Sequence, residues 1–143
     1  VTTAIDLRML EEGHELTPAV QFTTTAQLVR YAGAANDYSG IHYDLGYAHE
    51  RGFPDVIVHG FLKASFLAEL ACDWAGPGSW LRRFATRYQG IDVVGAPIVC
   101  RGRVTGIRID ERQVSLELWT ENAQGARTTT ATGQLQLGEE DLT

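Results

Sequence analysis

The chain has 143 residues, with 12 basic against 18 acidic side chains, a formal net charge of −6 and no run of Lys or Arg. That balance argues against a nucleic-acid or anionic-membrane partner, and the length suits one domain, 1–143, burying roughly two thirds of its unfolded surface. Neither an apolar stretch of about 18 residues or more nor a basic-then-apolar leader is present, so a soluble cytoplasmic protein is the expectation.

In chain order, residues 1–18 carry few periodic apolar positions and read as a leading arm to a short strand over 19–22. Thr23, Thr24 and Thr25 offer hydroxyl N-caps to a helix running through Ala35, with Leu28, Val29 and Ala32 on one apolar face. From Asn36 to Gly40 turn formers replace helix formers. Asp44 then stands as the N-cap of a short helix over 45–50, which Gly52 and Pro54 end, and Ile57 and Val58 link it to His59 and Gly60. The run 61–75, FLKASFLAELACDWA, is apolar nearly all round, broken only by Lys63, Ser65, Glu69 and Asp73. Such a pattern predicts a buried helix, and Gly76, Pro77 and Gly78 stop it.

Beyond it the period shortens to two. Strands are predicted over 81–88, 98–108, 113–121 and 127–137, with Gly102 as a bulge candidate and turns at 110–112 and 122–126. These strands read as an antiparallel meander, and Glu139, Glu140 and Asp141 as a solvated tail. Cys72 and Cys100 have no metal-ligand spacing around them and read as buried thiols. Trp74, Trp80 and Trp119 read as core or interface aromatics. A helix that is apolar on every side needs a sheet to cover it. The predicted class is α+β, a hot-dog fold in which a curved antiparallel sheet wraps around a long central helix.

The chemistry concentrates in residues 31–60, which hold all the histidines except His14. Asp37 and His42 stand five apart on a segment too rich in Gly, Ser and Asn for one uninterrupted helix. A loop can aim an acid and an imidazole at one point, where a regular helix or strand would fix their directions by its period. Converging on one water, such a pair can act as general acid and base. Gly60, leading into the buried helix, offers a backbone N–H backed by the helix dipole. Each residue also has a plainer reading: Asp37 as a turn residue, His42 as a structural histidine, Gly60 as a turn into the helix. His59 reads as making a structural hydrogen bond, His14 and His49 as surface residues, and Asp44 as a cap.

The run Asp37-Tyr38-Ser39-Gly40-Ile41-His42 resembles the hydratase motif of the MaoC-like (R)-specific enoyl-CoA hydratases and acyl dehydratases, Asp-x-Asn-Pro-[Ile/Leu/Val]-His. Val58-His59-Gly60 is similar to their Val-His-Gly segment, and the likeness extends over about 19–137. It implies hydration of a 2-enoyl thioester, or dehydration of a 3-hydroxyacyl thioester, without metal or organic cofactor. Asp37 and His42 would hold the water and return a proton to the same face, giving a 3R product. Gly60 would be the oxyanion donor, Ser39 a contact to substrate or to the catalytic pair, and Arg82, Arg83 and Arg87 candidate contacts for CoA phosphates. The implied substrate is an acyl thioester of CoA or of an acyl carrier protein. The implied assembly is a homodimer, or a heterodimer with another hot-dog subunit, that covers exposed sheet edges.

Ser39 and Gly40 depart from the usual Asn and Pro, which removes an amide hydrogen bond and loosens the loop. Asp73-Trp74-Ala75-Gly76-Pro77 is similar to actinobacterial members acting on bulky steroid-side-chain or long-chain enoyl thioesters, some beside a degenerate partner. Two other readings stand beside this one. An acyl-CoA thioesterase of the same fold would not need the Asp/His motif, and a non-catalytic or partner-dependent subunit would bind acyl thioesters without turnover.

Overall fold

The computed structural model describes residues 5–138 and is organised on the helix α3 (Gly60–Ala75). Its Leu62, Phe66, Leu67, Leu70 and Ala71 are buried, and it touches four of the five strands of one antiparallel sheet. Burying a Leu or Phe side chain contributes roughly 1.5–3 kcal/mol, so this helix is the principal core element. The strands are β1 (Ala19–Phe22), β2 (Trp80–Tyr88), β3 (Pro97–Arg108), β4 (Gln113–Glu121) and β5 (Arg127–Gln136). They stand in the order β1-β3-β4-β5-β2. Ile98, Cys100, Val104, Val114, Leu116, Leu118, Ala131 and Leu135 point from the sheet into the core. Two shorter helices, α1 (Thr25–Ala35) and α2 (Leu45–Glu50), precede α3. No helix of the described residues is long and apolar enough to cross a membrane.

The expected α+β class and hot-dog architecture are found, and three details differ from the sequence reading. Only β3, β4 and β5 form a meander. β1 occupies the other edge of β3, with Ala19 opposite Cys100, so β2 crosses over to pair with β5, Trp80 opposite Gln136 and Tyr88 opposite Thr129. Gly102 is not at a bulge: it lies in register opposite Leu118, and the irregularity falls between Val104 and Gly106. Its glycine is required by close packing, since a Cβ there would stand 2.6 Å from Leu118 Cδ2 and 3.2 Å from Leu16 Cδ2. Leu16 belongs to the leading arm, which is tied down where the Leu16 amide donates to the Gly102 carbonyl at 2.9 Å. Val29 is the third difference. It is 55% exposed while Leu28 and Ala32 are buried, so the inner face of α1 is narrower than predicted.

Both cysteines are free. Cys100 is fully buried, and burial pushes its thiol up to about 12. Trp119 is buried beneath the Arg127 guanidinium, 4.1 Å from its ring centre, whereas Trp80 lies exposed on the β2 edge. The acidic run at 139–141 falls outside the described residues.

Candidate active site

Asp37 is placed by the way α1 ends. The Thr24 hydroxyl caps the start of the helix by accepting the Gln27 amide at 3.1 Å. At the other end Asn36 takes a left-handed conformation with φ of 53°. The Asn36 amide donates to the Gly33 carbonyl at 3.4 Å and the Asp37 amide to the Ala32 carbonyl at 2.9 Å. This is a Schellman closure with asparagine in the αL position, and it turns Asp37 back across the end of the helix. The Ser39 amide donates to Asp37 Oδ1 at 3.3 Å, leaving Oδ2 directed at His42.

His42 ends a 3-10 turn, Gly40–His42, and is buried. Its Nδ1 lies 2.7 Å from the Ile57 carbonyl oxygen. A carbonyl only accepts, so Nδ1 carries the proton, and in the neutral ring Nε2 is the bare nitrogen. Nε2 lies 3.6 Å from Asp37 Oδ2. That gap is too long for a direct hydrogen bond, and a water oxygen can sit within reach of both. Asp37 remains 43% exposed at its side chain, so the pair opens outward.

The loop between them has a physical reason for glycine at position 40. A Cβ there would stand 2.9 Å from two ring carbons of Tyr47. Tyr47 is positioned by α2, whose cap is Asp44 accepting the Tyr47 amide at 3.0 Å, and its ring lies under the Arg51 guanidinium at 4.4 Å. Across the loop the Tyr43 hydroxyl donates to the Tyr38 carbonyl at 2.6 Å.

His59 differs from expectation. It is fully buried, and neither ring nitrogen has a hydrogen-bond partner among the described residues. Its ring stacks on His42 with centroids 3.7 Å apart and planes 21° from parallel, and Tyr31 meets it edge-on at 4.9 Å. Burial, with the neighbouring His42 adding to it, holds His59 below the ordinary histidine value of 6.5. It is therefore a neutral seat under the His42 ring and brings no competing charge.

Ligand-type atoms of Asp37, His42 and His59 all lie within 4.8 Å of one another. A metal binds an imidazole in the ring plane along a nitrogen lone pair. Two rings stacked this closely to parallel send those lone pairs along parallel lines rather than to one point, so the donor set does not fit a metal ion.

Gly60 is the first residue of α3, ahead of the first helical bond from the Lys63 amide to the His59 carbonyl at 3.2 Å. Its amide thus belongs to the set of helix N–H groups that have no partner within the helix. The Tyr88 ring packs over it, 3.0 Å from where a Cβ would be. Beside it opens a cleft of about 410 Å³, lined by Tyr31, by Phe61, Ala64, Ser65 and Ala68 of α3, and by Phe84, Thr86 and Tyr88 of β2.

The structure therefore brings Asp37, His42 and the Gly60 segment together. Ser39 is exposed and contributes its backbone amide. The three arginines are not gathered at the cleft. Arg83 and Arg87 alternate with the cleft-facing Phe84, Thr86 and Tyr88 and line grooves on the opposite face of the sheet. Arg82 stands near Gln113, at the far end of β2 from Tyr88. Sequence reading also missed an ion pair. Lys63, taken as a break in the apolar helix, is buried against buried Asp92, with Nζ 2.9 Å from Oδ2. The only sequence signal was a lone lysine in an apolar run.

Residues 9–126 match the MaoC-like domain family. No curated protein matches the sequence. Among solved structures, the (R)-hydratase from A. caviae involved in PHA biosynthesis superposes with a TM-score of 0.85 at 24% identity, over 91% of this chain and 98% of that one. The R-hydratase PhaJ1 of Pseudomonas aeruginosa gives 0.85 at 21%, over 96% and 88%. The ChsH1-ChsH2 complex of Mycobacterium tuberculosis gives 0.81 at 22%, over 90% and 99%. Similarity at these identities establishes the shared fold.

Proposed function

The chain belongs to the MaoC-like domain family, and from that premise we propose that it is a hydro-lyase, adding water to a 2-enoyl thioester and removing it from a 3R-hydroxyacyl thioester. The observation that carries the proposal is the setting of His42: Nδ1 pinned to a carbonyl, Nε2 facing the Asp37 carboxylate across 3.6 Å. A water held between Oδ2 and Nε2 gives up a proton to this pair as its oxygen bonds to Cβ. The π electrons move onto the thioester oxygen, where the Gly60 N–H stabilises the enolate. The pair then returns the proton to Cα on the same face, and the enolate collapses to the 3-hydroxyacyl thioester. One water is added in sum, and the reverse sequence is the dehydration.

The acyl chain occupies the cleft between α1, α3 and β2, whose aromatic and small side chains suit an aliphatic or alicyclic group. CoA is the favoured carrier, with acyl carrier protein the other. Assembly as a homodimer or a heterodimer with a second hot-dog subunit is part of the proposal. It is supported by β2, an edge strand exposing Trp80 and Tyr88, and by the two-chain ChsH1-ChsH2 relative.

The test is hydration of crotonyl-CoA and of a bulky or long-chain 2-enoyl-CoA, followed by loss of the enoyl-thioester absorbance. Asp37→Asn and His42→Ala are each expected to lower turnover by about 10²- to 10⁴-fold. Turnover unchanged in both variants would overturn the mechanism. Activity that appears only when a second hot-dog subunit is added would assign the chain to a heteromeric enzyme.

A further inference from the structure

We infer that the buried Lys63–Asp92 ion pair is a positioning device for the active site, holding the one segment that serves both His42 and the start of α3. The inference rests on the acid–base reading of the Asp37–His42 pair. Residues 56–60 carry the Ile57 carbonyl that fixes the His42 tautomer, the His59 ring beneath it, and the Gly60 amide. They are not part of the five-stranded sheet. On one side the Ile57 amide donates to the Ile41 carbonyl at 3.0 Å; on the other they are held by the chain at 90–94, where the Val58 amide donates to the Asp92 carbonyl at 2.8 Å, the Val94 amide to the Val56 carbonyl at 3.0 Å, and Ile57 bridges to Val93.

Lys63 locks these two runs together. It sits in the first turn of α3, and its Nζ donates to Asp92 Oδ2 and to the Gly90 carbonyl, both at 2.9 Å. The same Oδ2 accepts the Thr128 hydroxyl at 2.5 Å, and Thr128 meets Thr120 at 2.9 Å, which anchors the pair to β5 and β4. Lys63 and Asp92 are 2% and 4% exposed. A buried pair of this kind is commonly no more stabilising than apolar side chains of the same volume. Its directional bonds do what apolar packing cannot: they fix the height and register of residues 56–60 against the helix. A shift there moves the Ile57 carbonyl away from His42 Nδ1, so the imidazole loses its single tautomer and its aim at Asp37.

Lys63→Met leaves the Asp92 charge buried and unpaired and is expected not to fold well, so the informative variant is Lys63→Met with Asp92→Leu. This double variant is expected to fold, with a Tm close to wild type. Its His42 ring ¹⁵N signals are expected to change from the single Nδ1–H form to a mixture of tautomers. Its kcat for crotonyl-CoA hydration is expected to fall by about 10- to 10²-fold with KM nearly unchanged, because the fault is one of aim rather than of binding. A folded double variant with wild-type ring signals and wild-type kcat would overturn the inference. Should the double variant not fold, Thr128→Val decides. It removes one of the two side-chain bonds on Oδ2, and ring signals identical to wild type would be just as damaging. The ring spectrum needs no turnover, so a wild-type protein that failed to hydrate any enoyl thioester would count against the proposed function while leaving this test intact.

Discussion

Gly40→Pro restores the residue usual in the motif, and the structure supplies the terms of its effect. The backbone is ready for proline. Ser39 has φ −59° and ψ 126°, a conformation allowed before proline, and the Gly40 amide makes no hydrogen bond among the described residues. Entropy lost from the unfolded chain should stabilise the fold by about 0.4–1 kcal/mol. Against that, the new Cβ would stand 2.9 Å from the Tyr47 ring, which is held by α2 below and by Arg51 above. Overpacking of this kind costs about 1–3 kcal/mol. The net expectation is a loss of about 1 kcal/mol, or roughly 2–4 °C in Tm for a chain of this length. Tyr47→Ala removes the obstacle, and in that background the same proline is expected to raise Tm. A double-mutant cycle by chemical denaturation should therefore give a coupling of about 1–3 kcal/mol between positions 40 and 47. A stabilising Gly40→Pro in the wild-type background, or a coupling under about 0.5 kcal/mol, would show that Tyr47 is not why glycine stands there.

Two further outcomes are expected. Gly60→Ala should change Tm by no more than about 2–3 °C, because the gain in helix propensity offsets contact with a Tyr88 ring that is 41% exposed and free to yield. Its kcat should fall by about 10²- to 10³-fold as the methyl keeps the thioester oxygen from the amide; a variant that lost Tm but kept kcat would leave Gly60 only a packing role. His59 gives a pH signature. Its folded-state value lies below 6.5, so as the pH falls past 6.5 the unfolded chain takes up the proton first and stability is lost until the lower folded-state value is reached. His59→Gln should flatten the Tm–pH curve in the window beneath 6.5. Below 4.5 the wild type and the variant should both lose further stability, as Glu121 gives up the advantage supplied by the Trp119 indole and Arg101. A wild-type curve without that extra slope would contradict the assignment of His59 as a neutral buried base.

Local signals were legible in the sequence, and neighbours in space were not. β1, α2 and β4 have the expected bounds, and α3 begins one residue early because His59, not Gly60, takes the non-helical cap position. The convergence of Asp37 and His42 could be read because turn formers between them forbid a regular period. Period-two alternation tells which face a residue lies on but not which strand lies beside it, so the crossing of β2 to β5 was hidden. The same gap explains Gly102, whose reason is Leu16 and Leu118, far away in the chain. Lys63 finds Asp92 on a loop, where neither composition nor spacing announces a partner. The His42–His59 stack was hidden for another reason: His59 has no hydrogen-bond partner for its ring nitrogens among the described residues, and sequence reasoning assigns buried histidines one.

The crossing of β2 also sets an order of assembly. Every residue assigned to the chemistry is synthesised by position 60, yet the wall of the cleft, Phe84, Thr86 and Tyr88, has no strand to lie against until β5 emerges. Until then α3 has only part of its cover, and its apolar sides face solvent or a chaperone. Pairings between residues so far apart are slow to form, and a helix apolar all round is the surface most exposed to misassociation in the interval. Catalytic competence is thus a late event in the life of the nascent chain, completed by a strand that contributes no reacting group.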